Sequence, residues 1–200
     1  MSNQEITTKR KNRTKTHLKS ALIAMIKEKG FHAVTVKDIV DKADYNRSTF
    51  YIHYQDKFEL AEDLMESMFT GVEESVGKPY VPDRTISTSK LDANSFYFVS
   101  FICENRDFFE LIKYEDTIPG LQKKFQQTIL TIYQEKFIFE TIHNIPVNMD
   151  YFTRYTAFGF YGLISNWITT GFHESLEEFI KEVIVLSKTH IQSLKYVGEK

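Results

Sequence analysis

Apolar residues recur at helical spacing along most of the chain, and polar or glycine-bearing breaks divide them into segments. Leu18, Leu22, Met25 and Ile26 share one face and predict a first helix over about 14–29, with Gly30 as the left-handed residue that ends it. Val36, Ile39, Val40 and Ala43 predict a second helix opened by a capping-box-like Thr35-x-x-Asp38. After the turn Asp44-Tyr45-Asn46, a short helix is expected over about Arg47–Tyr54 with Phe50 and Tyr54 inward and Asn46 as its cap. Asp56-x-x-Glu59 opens a long helix to about Val76. Gly77–Lys90, with Pro79, Pro82 and a Ser/Thr run, reads as a linker. Further helices are predicted over 92–104, 105–115, 118–141, 149–171 and 175–195, and strand signals are thin. The expected fold is all-α. It comprises a three-helix helix-turn-helix DNA-binding domain over 14–60, a basic disordered arm over 1–13, and a helical bundle over 61–200 that senses a ligand and dimerises.

Charge sharpens this picture. The net charge is −2, but residues 1–57 carry 12 Lys/Arg against 6 Asp/Glu, whereas residues 58–200 carry 13 against 21. A basic head on an acidic body suits a polyanionic partner for the head, although a solvated basic surface would look the same. One cysteine, Cys103, cannot pair within the chain, and no apolar leader precedes Lys19, so a cytoplasmic location is expected. Tyr155–Phe172 is uncharged, but its glycines, Asn166 and threonines suit a helix buried on several faces better than a membrane span.

Two short helices joined by a three-residue turn after a supporting helix describe a helix-turn-helix, whose second helix can enter the major groove. The segment Thr35–Lys57, with Phe31, Thr35, Ile39, Ala43, Thr49-Phe50-Tyr51-x-His53-Tyr54 and Asp56-Lys57-x-x-Leu60 in register, resembles the TetR family signature. One departure is Asp44, where that family usually has glycine. The resemblance implies a DNA-binding regulator without enzymatic activity. By the same resemblance it is expected to act as an effector-responsive repressor, binding a palindromic operator in double-stranded DNA as a homodimer. The alternative is a coactivator that works through protein contacts.

The resemblance also implies residue roles. Arg47 is the first candidate for reading a base. Asn46, Ser48 and Thr49 can meet phosphate or bases, and Lys37 can reach either. Thr35, Tyr51, His53 and Lys57 are candidate phosphate clamps, and Lys9, Arg10, Lys11, Arg13 and Lys15 can follow the backbone. Asn46 could equally be only a cap, and Tyr54 only core.

Of the 29 aromatic residues, 21 lie in 91–200. Most must be core, but a pocket for a small-molecule effector is expected among Phe101, Cys103, Arg106, Phe109, Tyr133 and His143. Phe158, Tyr161, Trp167, Phe179, Val183 and Ile184 are the expected dimer interface, with Gly159 and Gly162 allowing close approach. Residues 104–109 and 162–171 also resemble a TetR subgroup that includes regulators of dihydroxyacetone kinase operons. No cofactor or metal site is expected: His173 and Glu177 have i, i+4 spacing but suit a solvated helix start. No nucleotide-binding loop, nucleophile elbow or paired-carboxylate pattern occurs.

Overall fold

The computed structural model describes residues 3–198, and side chains from residue 8 onward. It divides into two compact units, Met1–Met68 with Leu111–Leu121, and Phe69–Glu110 with Gln122–Lys200.

The first unit starts with α1, Asn3–Lys29. This helix runs through most of the stretch expected to be a disordered arm; Met1 and Ser2 lie outside the described residues. The reason is composition: residues 3–29 contain no Gly or Pro and many Lys, Arg, Gln and Glu, all good helix formers. Gly30, at φ +80°, ends α1, and its N–H donates to Ile26 O at 2.9 Å. Then follow α2 (Val36–Ala43), α3 (Arg47–Tyr51) and α4 (Lys57–Val76), of which the part up to Met68 belongs to this unit. Leu18, Leu22, Ile26, Phe31, Ile39, Phe50 and Leu60 are fully buried and form the core of this unit. The segment 111–121 joins it through Asp116. Phe31 N–H donates to Asp116 O at 3.0 Å, and the Asp116 carboxylate takes His32 N–H at 3.1 Å and the His32 ring at 2.5 Å. The Asp116 pKa is lowered, chiefly by that ring contact. The boundary expected at residue 60 is thus crossed by chain from further along.

The second unit holds α5 (Tyr97–Glu104), α6 (Arg106–Phe109), α7 (Leu121–Glu135), α8 (Met149–Thr169) and α9 (Leu176–Ser187). Phe69, Phe108, Phe109 and Phe125 pack ring on ring at centroid separations of 5.1–6.1 Å. Trp167 stacks on Phe179 at 4.4 Å and 6°. Among the described residues no helix is long and apolar enough to cross a membrane.

This unit also carries a small antiparallel sheet in the order β1-β3-β2, from Thr85–Ser87, Ile191–Tyr196 and Phe137–Thr141. Two predicted helices therefore stop early, at Glu135 and Ser187, and the expected linker supplies β1. Phe139 faces Leu194, and Ile86 faces the same Leu194 from the other side. Aromatic and β-branched side chains in 137–141 suit a pleated, half-buried surface once a partner strand is present.

Candidate nucleic-acid interface

Local chemistry explains why 35–57 folds as it does. Thr35 and Asp38 form a reciprocal capping box on α2, with Thr35 N–H donating to Asp38 Oδ2 at 2.8 Å and the Thr35 hydroxyl to the same oxygen at 2.6 Å. Lys29 Nζ, 2.7 Å from Asp38 Oδ2, and the Thr35 bonds hold the Asp38 carboxyl well below the usual carboxylate range. At the other end Asp44 is left-handed (φ 58°, ψ 47°), and Tyr45 N–H reaches back to Val40 O at 2.9 Å, a Schellman closure. Asn46 Oδ1 then caps α3. It accepts from Thr49 N–H at 2.8 Å and from the hydroxyls of Ser48 and Thr49 at 2.6 and 2.9 Å. At α4, Asp56 Oδ1 accepts from the N–H groups of Phe58 and Glu59, while Glu59 reaches to Gln55 N–H instead of closing a box on Asp56.

Asp44 occupies a conformation that glycine adopts without the Cβ penalty. Asp44→Gly is expected to stabilise the first unit by about 0.5–1 kcal/mol, read by thermal unfolding. It also removes an exposed negative charge from the turn, so affinity for duplex DNA should rise. An unchanged or lower melting temperature would contradict the turn geometry.

The candidate residues separate into two groups. Arg47 and Lys37 are exposed and make no hydrogen bond or ion pair with any described residue, and Tyr51 is 57 % exposed with the Phe50 ring edge-on to it. These three are available to an external partner. Thr35, Asn46, Ser48 and Thr49 have their side chains engaged in the caps. Lys57, expected as a phosphate clamp, is engaged inside the unit instead. Its Nζ donates to Phe31 O at 2.8 Å, His32 O at 3.0 Å and Val34 O at 2.8 Å. An ammonium has three protons, and all three are spent on the connection between α1 and α2. Desolvation lowers its pKa, against the pull of Asp116.

His53 is half-buried and its pKa is lowered by desolvation first, then by Lys15 and Lys11. The ring is therefore neutral at pH 7 beside two cations, an arrangement that favours an anion. Lys9, Arg10, Lys11 and Arg13 are exposed along α1.

Two contributors were missed from sequence. Tyr45, in the turn, meets His17 Nδ1 through its hydroxyl at 3.1 Å. Asp63 on α4 accepts from the buried Tyr54 hydroxyl at 2.6 Å and faces Lys15 and Lys19 at 3.3 and 3.2 Å. Nothing in the spacing of these residues marks them, because their partners lie far away in the chain.

In the second unit, the six expected pocket residues do not gather. Phe109 is fully buried, Phe101 packs against Gly71, Arg106 lies over the Phe172 ring, and His143 is exposed in the turn after β2. Cys103 is half-buried, and Tyr133 lines a cavity between α8 and α9. The expected dimer residues divide as well. Trp167, Phe179, Val183 and Ile184 are 1–8 % exposed within one chain, and Tyr161 packs on Phe125, whereas Phe158 is 42 % exposed. The large apolar residues facing outward on α8 and α9 are Met149, Tyr151, Tyr155, Phe158, Leu163, Val185 and Leu186. Among the described residues no group of three or more His, Cys, Asp or Glu could hold a metal ion.

Comparison with known proteins fits this geometry. Residues 19–64 match the family model described as bacterial regulatory proteins, tetR family, and residues 96–189 match one for a transcriptional regulator C-terminal region. The uncharacterized HTH-type transcriptional regulator YxbF of Bacillus subtilis (strain 168) is 26 % identical over 168 residues. The match covers 83 % of this chain but 42 % of YxbF, so the chain spans less than half the length of that curated relative. Among solved structures, a TetR-family regulator from Syntrophomonas wolfei superposes with a TM-score of 0.65 at 16 % identity, covering 89 % of this chain and 94 % of that one. A TetR regulator from Streptococcus agalactiae 2603V gives 0.59 at 18 %, covering 92 % and 98 %. The dihydroxyacetone kinase operon activator DhaS gives 0.58 at 18 %, covering 90 % and 98 %.

Proposed function

Since the chain belongs to the TetR family of bacterial transcriptional regulators, we propose that it acts as an effector-responsive repressor and binds a palindromic operator as a homodimer. The observation that carries the operator reading is the short α3 with Arg47 exposed and unpaired at its first turn. A guanidinium placed there can fork onto guanine O6 and N7, a contact worth about 1–3 kcal/mol of discrimination. Lys37 supplies a second unengaged cation, and Tyr51 an exposed hydroxyl for a phosphate. Lys11 and Lys15 add an electrostatic term that depends on salt and not on sequence.

Support for self-association comes from α8 and α9. Seven large apolar side chains face outward there, and a Cβ added at Gly159 or Gly162 would meet nothing within 4 Å, which leaves room for close approach of another helix. Exposed apolar area of this kind marks an interaction surface, and a two-fold pairing of the same face is the simplest closed solution. An effector that favours one conformation of the dimer would change DNA affinity by its differential affinity for the two states.

The test is a gel-shift titration on a footprinted operator, with wild-type protein and Arg47→Ala. The variant should bind about 5- to 100-fold more weakly and lose its preference at one base pair in each half-site. Unchanged affinity and specificity would remove Arg47 from base reading. If the purified wild-type protein retards no duplex at low salt, the repressor reading fails in favour of a coactivator that works through protein contacts.

A further inference from the structure

The segment around α3 carries an apolar side chain that the polar contacts proposed for this helix do not use. Among the described residues of the first unit, the large apolar side chains standing out in solvent are Tyr51, Ile52 and Phe58. Phe58 packs edge-on against Phe31, and Tyr51 has the Phe50 ring edge-on to it. Ile52 is the most exposed of them, at 70 %. Single exposed apolar residues are ordinary on a surface, but this one stands at a particular place.

Ile52 keeps helical backbone (φ −69°, ψ −26°), and its N–H donates to Ser48 O at 3.2 Å. It therefore sits one turn beyond Ser48 on the same face of α3. Phe50 is fully buried and fixes the side of the helix turned to the core. At about 100° per residue, Ser48 and Ile52 each lie about 160° from Phe50, whereas Arg47 and Tyr51 lie on one flank, at about 60° and 100°. Ser48 and Ile52 thus form the outermost stripe of α3, the part that goes deepest into a groove when the core side faces away from the duplex.

The chemistry of that stripe is equally defined. The Ser48 hydroxyl donates its one proton to Asn46 Oδ1 at 2.6 Å, so the oxygen it turns outward can only accept. Ile52 offers hydrocarbon alone. In the major groove the thymine C5-methyl is the apolar group on the base edges, and the donors are the amines of adenine and cytosine. An A·T pair is the one pair that shows both an amine and a methyl there.

We infer that Ile52 is a specificity-determining residue that packs on a thymine methyl in each half of the operator, while the Ser48 oxygen accepts from an adenine amine beside it. Ile52 lies five residues beyond Arg47, about 7.5 Å along a helix, so the thymine falls about two base pairs from the base that Arg47 reads. This assignment rests on the operator reading above and adds a second base to it.

The experiment is a gel-shift titration of the full chain on the footprinted operator, with each thymine replaced in turn by deoxyuridine. That change removes one methyl and leaves every hydrogen-bonding group of the base pair in place. At one thymine in each half-site the wild type should lose about fourfold in affinity, the worth of one buried methyl, and about fifteenfold when both half-sites are changed. Ile52→Ala should bind the thymine operator more weakly and show no further loss at that thymine. Ile52→Val, which keeps a branched apolar surface, should retain the loss. Because Ile52 is exposed, both variants should melt with the wild type. If Ile52 acts only through the fold, Ile52→Ala weakens binding to every operator alike and leaves the pattern of deoxyuridine losses unchanged. That result, or a wild type indifferent to deoxyuridine at every thymine, would overturn the assignment while leaving the operator reading in place. A chain that retards no duplex overturns both together.

Discussion

Lys57→Met is expected to destabilise the first unit by about 2–3 kcal/mol, lowering its melting temperature by about 10 °C or more. Methionine keeps an apolar stem against the Phe31 ring, over which the ammonium sits at 4.8 Å, so packing changes little. What is lost is the single group that closes three carbonyls in the connection between α1 and α2. Hydrogen bonds to a charged donor contribute about 1.5–3 kcal/mol each, and three sharing one half-buried ammonium give less than their sum. Thermal unfolding followed by circular dichroism gives the answer. If Lys57→Met melts within a degree or two of wild type while losing DNA affinity, Lys57 is a phosphate clamp after all and its carbonyl contacts are incidental.

Asp63→Ala should cost a similar amount, about 2–4 kcal/mol. Most of that comes from Tyr54, which is 3 % exposed and donates its hydroxyl to Asp63; without an acceptor that buried hydroxyl is orphaned. Lys19 loses a carboxylate at 3.2 Å, although it keeps Asp63 O and Ser67 Oγ at 3.0 Å. The pH dependence follows from the direction of the shift. Desolvation raises the Asp63 pKa, but the Tyr54 bond and the two lysines outweigh it and the net pKa is lowered. A carboxyl depressed in the folded state contributes stability above its unfolded pKa of about 4 and loses it as pH falls through the folded value. The difference between wild type and Asp63→Ala should therefore be flat near neutrality and narrow below about pH 4. A difference that persists undiminished at pH 2 would mean that the carboxylate charge contributes nothing.

How far the site could be read in advance depended on the range of the interactions that build it. The caps at Thr35, Asn46 and Asp56 are made within three residues, so their residue types announce them. The same holds for Gly30, where a left-handed residue ends a run of apolar periodicity. The basic character of residues 3–13 at the start of α1 was visible in composition, but their helical state was not, because polar helix formers without an apolar stripe look the same folded or unfolded. Lys57 and Asp63 were opaque for another reason. Their partners at Phe31, Val34, Lys15 and Lys19 are remote in sequence, and a lysine near a helix start looks alike whether it faces a phosphate or three carbonyls.

By itself the chain's order of residues determined the mostly helical fold, the helix-turn-helix and its caps, and membership of the TetR family, because these rest on short-range periodicity, capping and a motif in register. Only tertiary structure decided that 137–141 and 191–196 pair as strands, that 111–121 joins the first unit, and which faces of α8 and α9 are covered. A strand exists only when its partner is alongside. An amphipathic helix with apolar residues on more than one side does not reveal which side the core will take, since that is settled by the neighbours that pack against it.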